Sequence, residues 1–128
     1  MDEDPRYLQG IALFNAQYFF DAHDAWEDLW ADTRDGDRLF YQSLIHAAVA
    51  LYHWRNGNVA GASNVYGYFT RRSAGYPDVH HGLRFGVFRD RMAALFARLG
   101  SDPFDPALTP RMDVEGLDIP PPVTHEEM

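Results

Sequence analysis

The sequence predicts an all-α protein: a compact bundle of about five helices built from two helical hairpins of tetratricopeptide-like form, with an extended Pro-rich C-terminal tail. Three observations predict it. Apolar residues recur at helical spacing through most of positions 1–100. Residues that start and stop helices punctuate those runs. Six prolines crowd the segment after Ser101, where a helix cannot continue. A chain of 128 residues fits a single domain, here a helical bundle over 1–100 and a tail over 101–128 that packs on it and frays at its end.

Asp4-Pro5 reads as an N-cap followed by proline at the first helical position. The first helix is expected over Pro5 to Ala16, with Leu8, Ile11 and Phe14 on its apolar side. The second is expected over Tyr18 to Thr33. Phe19, Phe20, His23, Trp26, Glu27 and Trp30 line one side; Asp21, Asp24, Asp28 and Asp32 make a solvated acidic side. Arg34 to Asp37 is a turn, and Asp35 or Asp37 can cap the next helix. The third helix, Arg38 to Asn56, is apolar nearly all round and should be the buried centre. Its informative polar residues are Gln42, His46 and His53. Gly57 and Asn58 suit the end of that helix and the start of a fourth, which runs to about Gly75. Pro77 to Gly86 reads as a loop, and a fifth helix as Phe88 to Leu99. In the tail, Phe104, Leu108, Met112, Val114, Leu117 and Ile119 are expected to press onto the bundle. A faint repeat, ALF from Ala12 and ALY from Ala50, supports the two-hairpin reading.

Composition excludes several functions. A net charge of −8 argues against a nucleic-acid partner, because phosphate contacts need a basic surface. No apolar run is long enough for a membrane helix, and MDEDPRYLQG lacks the features of a signal peptide. No cysteine is present, which removes disulfides and thiolate metal sites and is compatible with a cytoplasmic protein. Aromatic residues make up 15%, so the core or a pocket is rich in rings.

On the second helix His23 and Glu27 lie ~40° apart, with Trp30 ~20° from His23. Gln42 and His46 repeat the i, i+4 spacing on the third helix. A short connection makes the two helices antiparallel neighbours, so His23, Glu27, Gln42 and His46 can converge in one layer. A carboxylate buried there needs a partner or a metal. One reading is a hydrogen-bonded structural layer, with a ligand pocket beside Trp30 and Tyr41. Another is a divalent metal held by His23, Glu27 and His46, with Gln42 behind them. His80 and His81 with Arg84 can bind an anion, although an ordinary solvated loop has the same composition.

The runs LFNAQYFFDAHDAWEDLW and LFYQSLIHAAVALYHWRNGNVAGA resemble the DUF309 family of small helical prokaryotic proteins. The family pattern is a Tyr-Phe-Glu-Ala-His-Glu-x-x-Glu-x-x-Trp run, a Gln-Gly-Leu-Ile-Gln run and a Gly-Asn-x-x-Gly-Ala turn. Matching positions are His23, Glu27, Trp30, Gln42, Leu44, Ile45, Gly57, Asn58, Gly61 and Ala62. Asp21 and Asp24 stand for glutamates, Ser43 for glycine, and His46 for glutamine, which makes His46 a poorer obligatory ligand. The resemblance implies an all-helical fold and no established activity. Three functions stay open: a non-enzymatic domain that binds a small-molecule ligand, a metal-dependent hydrolase using His23 and Glu27, and a scaffold for a protein partner or a second copy. In the hydrolase reading Glu27 is the general base or, with His23, a ligand.

Overall fold

The computed structural model describes residues 3–124. The expected fraying of the last residues falls mostly on positions 125–128, which lie outside the described residues. Five helices are present among those described: α1 (Pro5–Asn15), α2 (Phe19–Asp32), α3 (Arg38–Arg55), α4 (Val59–Ser73) and α5 (Phe85–Phe96). Each of the first three packs on the next, α1 on α2, α2 on α3 and α3 on α4, as two successive hairpins require. No helix among the described residues is long and apolar enough to cross a membrane.

Local chemistry sets the ends. The Asp4 side chain accepts the Arg6 backbone N–H at 2.8 Å, satisfying one of the free donors of the first turn. Asn58 does the same for Gly61 at 2.9 Å and starts α4. Between α1 and α2 the chain reverses through Gln17, whose φ is +69°. The two helices meet at Gly10, where the fully buried indole of Trp26 lies against the backbone of α1 and donates to the Tyr7 carbonyl at 3.2 Å. Helix α3 is the centre: Phe40, Leu44, Ala47, Ala48, Ala50 and Leu51 are wholly buried.

The segment between α4 and α5 departs from the expected loop. Val79–His80 (β1) and Leu83–Arg84 (β2) pair antiparallel around the two-residue turn His81-Gly82. Both turn residues have positive φ, +48° and +73°, the pattern of a type I′ turn whose twist matches the strands. Strands of two residues are too short for apolar alternation to reveal them. Strand β2 runs directly into α5 with no capping side chain, which is why the helix begins at Phe85 and not at Phe88.

Residues 101–124 lie on this frame. Met112 is buried, and Phe104, Val114, Leu117 and Ile119 are partly buried against the core. Leu108, by contrast, is exposed within a single turn of 3-10 helix. Asn15 clasps the Met112 backbone through two hydrogen bonds of 3.0 and 2.8 Å. The tail also borders the hairpin: Arg84 N donates to Asp113 O at 2.9 Å, Glu115 N donates to Gly82 O at 2.7 Å, and Leu83 bridges Val114. A Cβ on Gly82 would sit 2.8 Å from the Leu117 side chain and 2.9 Å from the Glu115 carbonyl. Only glycine allows the tail this close.

Candidate functional site

The residues expected to form one layer between α2 and α3 are divided between two places. On α2, His23 Nε2 meets Glu27 Oε2 at 2.5 Å, and His23 Nδ1 lies 3.2 Å from Asp24 Oδ1. Glu27 is half exposed, with 52% of its side chain open to solvent. Asp24, expected only to face water, is therefore part of this surface group. On α3, Gln42 Oε1 accepts from Arg72 Nε of α4 at 3.1 Å, and the His46 ring lies 5.5 Å from that of Tyr68. Gln42 and His46 look toward α4 because α3 has two antiparallel neighbours, and this stripe meets the second one. Trp30 lies under the guanidinium of Arg38, 4.1 Å from its ring centre. The metal set of His23, Glu27 and His46 is not assembled. Among the described residues, the one group of three or more histidine or acidic residues with ligand atoms gathered within 4.8 Å is Asp37, His80 and His81.

His46 Nε2 is buried without a hydrogen-bond partner. Burial, with Arg72 adding to it, pushes the imidazole down to about 4. An unfolded histidine titrates near ~6.5. Between those values the unfolded chain binds a proton that the folded chain refuses, so stability falls as the pH drops from 6.5 toward 4. The full loss is on the order of 2 kcal/mol, allowing for the part of the ring that solvent reaches. Urea unfolding of the parent and of His46→Gln across this range checks it. The substituted chain should show the flatter acid limb, and parallel curves would remove His46 as the cause.

The gathered cluster stands where three distant segments meet. Asp37 occupies the N-cap position of α3, yet its side chain makes no capping bond. Asp35 Oδ1 instead accepts the Asp37 N–H at 2.9 Å and shapes the turn. The Asp37 carboxylate is left to reach the hairpin, with Oδ1 at 2.7 Å from His80 Nε2 and Oδ2 at 2.6 Å from His81 Nε2. Glu3, beside the start of α1, approaches the other nitrogen of His81, with Oε1 at 3.0 Å and Oε2 at 3.1 Å from Nδ1. The backbone of His81 is fixed as well, since its carbonyl accepts the Tyr7 hydroxyl at 2.9 Å. Rings wall the cluster. Tyr41 stacks on His81 with centres 5.9 Å apart, and Phe40 meets His80 edge-on at 4.7 Å. Tyr76 lies 5.1 Å from His80.

The electrostatics follow from this placement. Burial disfavours a charge on His81, but hydrogen bonds to Asp37 and Glu3 outweigh it and raise its pKa above the ordinary histidine value. Burial also works against the Asp37 carboxylate. Hydrogen bonds from His81 and His80 overcome it and hold its pKa below the ordinary aspartate value. Tyr7 and Tyr41 are pushed up, first by burial and then by the nearby carboxylates, so their hydroxyls stay protonated at neutral pH. The cluster thus presents two imidazoles and an ionised carboxylate at the solvent boundary; Asp37, His80 and His81 are each about a quarter exposed. Such a group can exchange protons or ligate a cation.

From the sequence, His80, His81 and Arg84 read as a solvated loop with an anion site as the alternative, and Asp37 as one of two candidate caps. Arg84 is in fact paired with Glu115 of the tail at 2.9 Å. The signal available was Gly82, which suits the second position of a tight hairpin turn; His81 before it is not a usual turn residue and hid the hairpin.

Residues 7–65 match the model of a domain of unknown function, DUF309. The match covers just under half of the chain. An uncharacterised protein of Aquifex aeolicus (strain VF5) is 30% identical over 77 residues, covering 59% of this chain and 23% of the relative. The chain therefore spans less than a quarter of that relative's length. The DUF309 segment carries α1 to α3 and enters α4, and includes His23, Glu27, Trp30, Tyr41, Gln42 and His46.

Proposed function

We propose that this protein is a ligand-binding helical domain whose binding centre is the cluster of Asp37, His80 and His81. The observation behind the reading is the bridging of one carboxylate between two histidines, His80 of β1 and His81 of the turn, 2.7 and 2.6 Å away, with His81 held at positive φ. A domain that needed only a polar clasp could use less: each positive-φ position outside glycine costs stability, and strain of this kind collects at sites of function. Tyr41, expected beside a ligand pocket, borders this cluster; Trp30 serves the α2–α3 turn through Arg38. A hydrolase built on His23 and Glu27 has less support, since among the described residues that partly exposed pair belongs to no group of three gathered ligand residues.

A thermal-shift screen tests the reading. Chelator-treated full-length protein is exposed to a panel of inorganic anions, carboxylic acids, nucleotides and divalent cations, and hits are repeated on Asp37→Asn. At least one compound should raise the melting temperature of the parent and lose most of that effect in the variant, as ligand linkage requires. A panel without hits, or hits indifferent to Asp37, would refute the assignment.

A further inference from the structure

We propose that the hairpin centre binds a single divalent first-row transition ion of the zinc class, through His80 Nε2, His81 Nε2 and the Asp37 carboxylate. The proposal rests on the ligand-binding reading above and names its ligand. Two imidazole nitrogens and one carboxylate are donors of intermediate softness. They suit zinc and its neighbours better than magnesium or calcium, which prefer all-oxygen surroundings. Ligand atoms around such an ion, each bonded at ~2.0–2.2 Å, must lie within ~4.4 Å of one another, twice the longest bond. The three residues already gather their atoms within 4.8 Å, so only small side-chain movements are needed. In the unligated cluster, protons on the two Nε2 atoms hold the rings to Asp37; the ion would take the place of those two protons.

The surroundings repeat the pattern found around ligating histidines, in which the far nitrogen is bonded to a carboxylate that fixes the ring. Glu3 stands in that position at Nδ1 of His81, 3.0 Å away, and so leaves Nε2 for the ion. Glu3 and Asp37 together carry two negative charges, which balance a divalent cation in a partly buried place. Tyr7 anchors the His81 carbonyl, while Tyr41 and Phe40 exclude water from the back of both rings. Three protein ligands leave at least one coordination position free for water or a bound molecule, as in open zinc sites.

The test uses the full chain, made without a histidine tag and stripped with chelator. It is titrated with zinc by calorimetry and with cobalt(II) by visible absorption. One equivalent of each should bind, while magnesium should not. His80→Ala should weaken binding at least tenfold, and Glu3→Gln by about 10–100-fold. His23→Ala should leave it unchanged. His80 and Glu3 lie outside the positive-φ position, so these variants keep the test valid if His81→Ala does not fold. Absent binding, equal binding of magnesium, or loss in His23→Ala and not in His80→Ala would overturn the proposal. If zinc does not bind while another compound shifts the parent but not Asp37→Asn, the metal is wrong and the binding centre stands. If nothing depends on Asp37, both fall.

Discussion

Replacing Phe40 with alanine is expected to destabilise the protein by about 3–5 kcal/mol and to loosen the candidate site together with the core. Phe40 is fully buried at the first turn of α3. Its ring lies 5.2 Å from Phe85 of α5, 5.5 Å from both Tyr41 and Tyr76, and 4.7 and 5.7 Å from His80 and His81. Truncation removes the transfer energy of a phenyl ring and leaves a cavity that five or more neighbours cannot all fill. Leu39, next in the chain but half exposed, provides the comparison, since its replacement by alanine should stay within about 0.5 kcal/mol. Urea unfolding measures both. The His80 and His81 ring resonances should broaden or shift in Phe40→Ala alone. A cost below about 1 kcal/mol for Phe40→Ala, far under the usual range for a buried ring, would mean that the aromatic cluster is not a packed unit.

The second large effect is expected at Gly10. A Cβ built there lies 2.0 Å from Trp26 Nε1 and 2.4 and 2.5 Å from the two adjoining ring carbons. Alanine in a helix interior favours folding by about 1 kcal/mol over glycine. Against this stand the overpacking of a dense core, typically 1–3 kcal/mol, and loss of the Trp26 bond to the Tyr7 carbonyl, about 1 kcal/mol. Trp26 is wholly buried and Phe14 lies 6.1 Å from it, so the indole has nowhere to retreat without parting α1 from α2. The steric terms win, and Gly10→Ala should cost about 1–3 kcal/mol net. A red-shifted Trp fluorescence spectrum should accompany it. A variant as stable as the parent, with unchanged fluorescence, would contradict the close approach of α1 and α2.

The two variants also separate what could be read in the chain from what could not. The helices were legible because each carries an apolar stripe, and α1 and α4 have a local start as well, Asp4-Pro5 and Asn58. His23 and Glu27 were correctly seen as neighbours, since four residues on one helix fix that distance. The common layer with Gln42 and His46 was not legible. Periodicity shows that both residues share a stripe of α3, but α3 has neighbours on two sides and spacing does not say which one the stripe meets. The cluster at Asp37 was hidden for another reason. Its members come from 37, 80 and 81, with Glu3 beside them, and only a turn of two residues with positive φ aims the histidines at α3. Asp37 also looked accounted for, because an aspartate before a helix has an ordinary role as a cap, here left to the turn bond made by Asp35.

The part of the chain that the DUF309 model matches runs from 7 to 65. Of the cluster it supplies Asp37 and the rings behind it, while Glu3, His80 and His81 lie beyond its borders. The matched part holds most of α1, all of α2 and α3, the start of α4 and one carboxylate of the cluster, and both imidazoles stand outside it. The proposed site therefore depends on a short connector between α4 and α5, and that connector is tied to the core through the fully buried Leu83 and the packing of Phe40 on both histidines. A match to the family model is on this account a poor guide to the proposed site, and the two histidines at the hairpin are the better marker.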